Sequence, residues 1–158
     1  MGVHATTIEV NPFLADLIEA KLTSYSATQL AKEFGQILTD STKAKCPSSM
    51  NRPALPKTFV EPGDKGRWIF SSEAAEEVFR LLDAINRISA APSRRLFRVL
   101  LGGILTDVSN VRISGKGPRY RSGWERNQRC ATDVRQAFIN ACHEAIAEIG
   151  RASCRERV

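Results

Sequence analysis

Apolar residues recur three or four positions apart over most of the chain, the spacing of helices that bury one face. Phe13, Leu14, Leu17, Ile18 and Leu22 mark a first helix over 12–22. Asn11 stands where an N-cap is wanted, and Pro12 suits the first helical position because its missing N–H has no partner there anyway. Ser26 and Gln29 have the spacing of a capping box for a second helix over about 27–40, with Leu30, Phe34, Ile37 and Leu38 facing inward. A third helix begins near Ser72, with Glu73, Glu76 and Glu77 toward its positive end, and carries Val78, Leu81, Leu82 and Ile85. A fourth is read over 93–109 from Leu96, Val99, Leu100, Ile104 and Val108, and its Gly102-Gly103 pair implies close packing or a bend. A fifth starts near Thr132, with Val134, Phe138, Cys142, Ala145 and Ile146 on one side. Only the β-branched run Val3–Glu9 reads as a strand. Residues 41–67 lose periodicity and hold Pro47, Pro53, Pro56 and Pro62 with Gly63 and Gly66, which reads as a long proline-rich loop. The chain is therefore expected to be mainly α-helical with one N-terminal β-strand.

Composition narrows the class. With 158 residues, 42% of them apolar, the chain is long enough to bury one core. No run approaches the roughly 18 apolar residues that cross a bilayer, and the start does not read as a secretory signal. The expected compartment is the cytoplasm, with no membrane partner. Cys46, Cys130, Cys142 and Cys154 form no CxxC pair and His4 lies far from His143, so the spacing supports no metal site.

Charge is unevenly spread. Residues 1–92 carry ten Lys/Arg against eleven Asp/Glu, whereas residues 93–147 carry ten against four. The densest stretch, 111–129, holds Arg112, Lys116, Arg119, Arg121, Arg126 and Arg129 against Glu125 alone, with Tyr120 and Trp124 interleaved. Cations can displace counterions from phosphates, and aromatic rings can stack on an unpaired base. DNA contact through Arg112, Lys116, Arg119, Tyr120, Arg121, Trp124 and Arg126 is weighed against a solvated basic surface with the two rings packed at the edge of the core. Ser114-Gly115-Lys116-Gly117 lacks the full spacing and following helix of a phosphate loop.

A strand that ends in Glu9 and leads into a proline-started helix is half of a nucleotide-binding βα unit, in which a carboxylate accepts the two hydroxyls of a ribose. An exposed turn carboxylate is the plainer reading. The run Thr7-Ile8-Glu9-Val10-Asn11-Pro12-Phe13-Leu14-Ala15-Asp16-Leu17-Ile18-Glu19-Ala20-Lys21 closely resembles a segment of bacterial site-specific DNA amino-methyltransferases, of the adenine-N6 or cytosine-N4 type. Ser109-Asn110-Val111-Arg112-Ile113-Ser114-Gly115-Lys116-Gly117-Pro118-Arg119-Tyr120-Arg121 looks like a basic loop after a helical insertion in the same family. The resemblance covers most of 5–147 and is thin across 41–67. It implies an α/β, class I (Rossmann-like) parent fold, S-adenosylmethionine as methyl donor and DNA as acceptor. It also implies that Glu9 is the ribose-binding acid, with Val10 and Asn11 beside the adenosine.

The family's glycine-rich cofactor loop would precede Gly2, and its Ser/Asp-Pro-Pro-Tyr catalytic motif would follow Ala147. Neither stands in this chain, which has no Pro-Pro pair, so no residue is named catalytic. The last eleven residues, 148–158, match the translation of a common short-read sequencing adapter and are expected not to be native, the true protein continuing past Ala147. The expected organisation is a partial cofactor-binding βα segment over 1–40, the proline-rich loop over 41–67, and a helical insert over 68–147 bearing the basic loop 111–129. The fragment is expected to be inactive alone. A small basic helical nucleic-acid-binding module without enzymatic activity is the alternative, and a plain helical interaction domain a third.

Overall fold

In the computed structural model, residues 9–43 and 54–155 are described, and they form five α-helices and a two-stranded antiparallel sheet. The expected strand Val3–Glu9 lies outside the described residues, apart from Glu9 itself. Helix α1 spans Pro12–Leu22, with Pro12 in its first turn and the Asn11 side chain accepting from the Phe13 N–H. Helix α2 spans Ala27–Lys43, three residues longer than its pattern indicated. The capping box before it is half made. Ser26 Oγ accepts from the Gln29 N–H at 3.4 Å, while the Gln29 amide turns forward to the Glu33 carboxylate at 2.8 Å.

Helix α3 (Ser72–Asn86) is capped by Ser71, whose hydroxyl accepts from the Ala74 N–H and donates to the Arg129 carbonyl at 2.6 Å. Helix α4 runs Ala91–Ile104, earlier than the 93–109 expected. Pro92 occupies its first turn and allows the early start. The chain leaves the helix just after Gly102-Gly103 and passes through turns, so Val108 is buried from a turn and not from a helical face. At Gly102 α1 packs directly on α4: a Cβ there would overlap the Phe13 ring. Close packing, not a bend, explains this glycine. Helix α5 (Ala131–Arg155) is the longest and continues through the residues expected to be non-native, where Gly150 lies against Ala27.

The core draws on α2 to α5 together. Leu30, Phe34 and Ile37 of α2 meet Ala74, Leu81 and Ile85 of α3, Phe97, Leu101 and Ile104 of α4, and Val134, Phe138 and Cys142 of α5. Phe34 and Phe138 meet edge to face at 6.2 Å. An ion pair between a buried carboxylate and a half-buried guanidinium also crosses this junction. Glu77 of α3, only 4% exposed, binds Arg135 of α5 at 2.8 Å, and Arg135 also donates to Ser41 of α2 at 3.0 Å. Helix α2, read as part of the segment 1–40, thus shares one core with the helices of the segment 68–147. Periodicity shows that a helix has an apolar face and not which helix covers it. Helix α1 packs chiefly on α4, through the Phe13–Gly102 contact and through Arg95, which binds Asp16 at 3.3 Å and Glu19 at 2.6 Å.

The stretch read as one basic loop begins with a β-hairpin. Strands β1 (Val111–Ser114) and β2 (Gly117–Tyr120) pair in the register Val111↔Tyr120, Arg112↔Arg119, Ile113↔Pro118, Ser114↔Gly117. Four residues per strand are too few for alternation to stand out, and Pro118 has no N–H to give to a ladder. An isolated two-stranded edge tolerates it.

Candidate nucleic-acid interface

The hairpin is held at its base by a knot of polar groups. The Asn110 N–H donates to the Ile69 carbonyl at 2.8 Å, its amide donates to the Trp68 carbonyl at 3.2 Å, and its own carbonyl accepts from the Arg121 N–H at 2.9 Å. Asn110 and Ser109 are buried, yet their bonds go to backbone groups of neighbouring segments, as buried polar groups require. The hairpin and the 58–70 turns are therefore tied to each other.

Beyond this base the strands project. Period-2 geometry puts Val111, Ile113, Pro118 and Tyr120 on one face and Arg112 and Arg119 on the other. Val111 and Tyr120 turn to the body, whereas Ile113 further out is 66% exposed. Arg112 and Arg119 sit directly opposite each other and both are exposed. Cβ atoms of such a pair lie about 4.5–5.5 Å apart, and like charges at that spacing are unfavourable. Neither arginine has a carboxylate partner among the described residues. Lys116 stands exposed in the two-residue turn at the tip, and Arg126 is exposed in the turns after β2.

Arg121 differs from its neighbours. Its guanidinium donates to the Ser109 carbonyl at 3.2 Å and to the Thr106 carbonyl at 3.0 Å, so it ties the end of β2 to the turn between α4 and β1. Tyr120 and Trp124 are half-buried and packed together, with ring centroids 5.0 Å apart and planes 35° apart. Trp68 meets Trp124 edge-on at 5.0 Å, and its indole N–H donates to Gln128 at 3.2 Å. Of the seven DNA candidates, Arg112 and Arg119 are brought together, Tyr120 and Trp124 join a three-ring cluster, Lys116 and Arg126 stand at separate points, and Arg121 is turned inward.

Three residues that periodicity passed over lie beside this cluster. Asp64 and Arg67 exchange backbone hydrogen bonds across the two-residue turn Lys65-Gly66, at 3.2 and 3.0 Å. Lys65 and Gly66 both have positive φ, 51° and 68°. The turn leaves Lys65 and Arg67 exposed, and they border a cleft of about 490 Å³ with Thr58, Asp64 and Tyr120. Gly63 is obligatory here: φ is 66°, and a Cβ would overlap the Arg67 carbonyl. A two-residue turn flanked by a glycine was the available sequence signal, hidden among prolines.

The three cofactor candidates lie together ahead of α1, and all are exposed. The Glu9 carboxylate accepts from the Asn11 N–H at 2.8 Å, and the Asn11 side chain is committed to the Phe13 N–H at 3.0 Å. Val10 is 92% exposed. The Glu9 carboxylate is thus tied to the start of α1, and Asn11 is engaged as a helix cap. Among the described residues, no group of three His, Cys, Asp or Glu could hold a metal ion, and no helix is long and apolar enough to cross a membrane. The chain matches no protein-family model, no curated protein and no solved structure.

Proposed function

We propose that this chain contacts DNA through the outward face of its hairpin, as a portion of an S-adenosylmethionine-dependent DNA amino-methyltransferase. The observation that carries the DNA reading is the Arg112–Arg119 pair. Two guanidiniums with no carboxylate partner among the described residues are set opposite each other on a projecting ribbon, where an incoming phosphate would relieve their repulsion. The methyltransferase reading rests on the run around Glu9-Val10-Asn11-Pro12 and on the exposed Glu9 carboxylate. That carboxylate would hold the ribose hydroxyls of the methyl donor, which supplies a sulfonium-bound methyl group when bound. The Rossmann-like parent fold belongs to this proposal, with the sheet supplied by sequence on either side. The chain alone is not expected to methylate DNA.

The second reading, a small helical binding module, is favoured by one observation: α2 to α5 close a core with no parallel sheet among the described residues. DNA contact is common to both readings and is tested first. Duplex binding followed against salt should give a linear log–log plot. Replacing Arg112 and Arg119 together with alanine should reduce its slope by about 2, one for each lost phosphate contact. Absence of binding at low salt, or an unchanged slope, overturns DNA contact by this face. Sequencing the locus through both ends of the frame separates the two readings. A glycine-rich segment before Gly2 and a Ser/Asp-Pro-Pro-Tyr motif after Ala147 support the enzyme, and a frame that closes at both ends leaves the module.

A further inference from the structure

The cleft beside the aromatic cluster is distinct from the outward arginine face. It lies between the Asp64–Arg67 turn and the body-facing side of the hairpin base, and Tyr120 belongs to that side. Its volume of about 490 Å³ falls in the range of roughly 300–1,000 Å³ usual for clefts that hold small ligands. Two cations, the Asp64 carboxylate, the Thr58 hydroxyl and the Tyr120 phenol line it. The cations Lys65 and Arg67 have no ion-pair partner among the described residues.

We infer that this cleft takes a single unpaired nucleotide of a DNA strand. The inference rests on the DNA reading above and adds a strand preference to it. Lys65 and Arg67 meet the phosphate, because both are exposed on a tight turn that fixes their backbone. The Tyr120 ring offers a stacking surface to the base and is itself backed by Trp124, so it does not collapse when the cleft is empty. Asp64, on the same turn as the two cations, opposes a phosphate but accepts hydrogen bonds from an exocyclic amine, so it favours a base edge that carries one. A paired base cannot offer its face to Tyr120 without leaving its stack. The cleft therefore prefers single strands, whereas the outward arginines, which meet phosphate alone, do not discriminate.

Both tryptophans of the chain, Trp68 and Trp124, lie in this cluster, so their emission reports on this site without a label. The chain is titrated with a short oligodeoxycytidine and with a duplex of the same length, following tryptophan emission and, separately, the anisotropy of labelled DNA. Saturable quenching by the single strand, with tighter binding than the duplex, is expected. Tyr120→Leu should weaken single-strand binding by about tenfold, the loss of one base–aromatic stack, and Tyr120→Phe should restore it. Lys65→Ala and Arg67→Ala lie on an exposed turn away from the core. Each should weaken single-strand binding and lower its salt slope by about 0.7. Equal affinity for the two forms of DNA, or anisotropy-detected binding that leaves emission and these variants unchanged, overturns the cleft while leaving DNA contact standing. Absence of binding to either form overturns the DNA reading itself.

Discussion

Arginine 121 shows how little a residue's type says of its task. It belongs to a run of basic residues, yet its guanidinium donates to two carbonyls of the turn that follows α4, those of Thr106 and Ser109. Arg119, two positions earlier, points outward. The two should separate experimentally. Arg121→Ala is expected to lower stability by about 1–3 kcal/mol, since it leaves two carbonyls unmet by a charged donor, and to leave the salt slope of DNA binding nearly unchanged. Arg119→Ala should do the reverse. Thermal unfolding and salt titration of both variants check this, and a fall in slope equal to that of Arg119→Ala would place Arg121 on the DNA after all. Sequence could not separate them, because the carbonyls Arg121 meets, those of Thr106 and Ser109, come from a turn that was itself read as helix.

Among elements, legibility followed length and chemistry. Helix α1 was readable to the residue, because Asn11 and Pro12 mark its start and Leu22 ends its apolar stripe. The start of α3 was equally plain from Ser71-Ser72 and the glutamates that follow. The hairpin was not, since four residues per strand offer two apolar positions each. Helix α5 begins at a cap that composition did not reveal. Asp133 accepts from the Cys130 N–H at 3.0 Å, reaching back from the first turn to the residue before the helix. The Cys130 backbone and thiol bonds hold the Asp133 carboxyl below its usual range. A carboxylate with a depressed pKa stabilises the fold above the unfolded value near 3.8, and that contribution fades as pH falls through the folded value. The group is open to water, so the effect is small. Asp133→Asn should cost about 0.5–1 kcal/mol at neutral pH, with the gap to the parent chain closing as pH falls below 3.8. A gap that persists undiminished in acid would show that the carboxylate charge is not what holds the cap.

Over the whole molecule, stability is graded. Helices α2 to α5 surround one set of buried side chains, and burial pushes the Cys142 thiol pKa up, as expected for a sulfur sealed in that core. Helix α1 lies outside it, on α4, with Phe13 41%, Leu14 39% and Leu22 80% exposed. Elements with few buried contacts open below the global unfolding energy. Amide hydrogens of α1 should therefore exchange faster than those of α3 and α5, by native-state hydrogen exchange read segment by segment. Equal protection would mean that α1 unfolds only with the core. Sequence displayed the apolar stripes of all five helices but not this ranking. An exposed leucine and a buried one have the same spacing, and only the packing distinguishes them.

The Asn110 knot has a consequence in time. It bonds the hairpin to the Trp68–Ile69 backbone and to Arg121, so the walls of the cleft are assembled before anything arrives. A preformed site loses little freedom when a ligand enters it. Association should then run at the pace of charged encounter, quickening as salt is withdrawn, and the variants around the cleft should differ mainly in how long the strand stays.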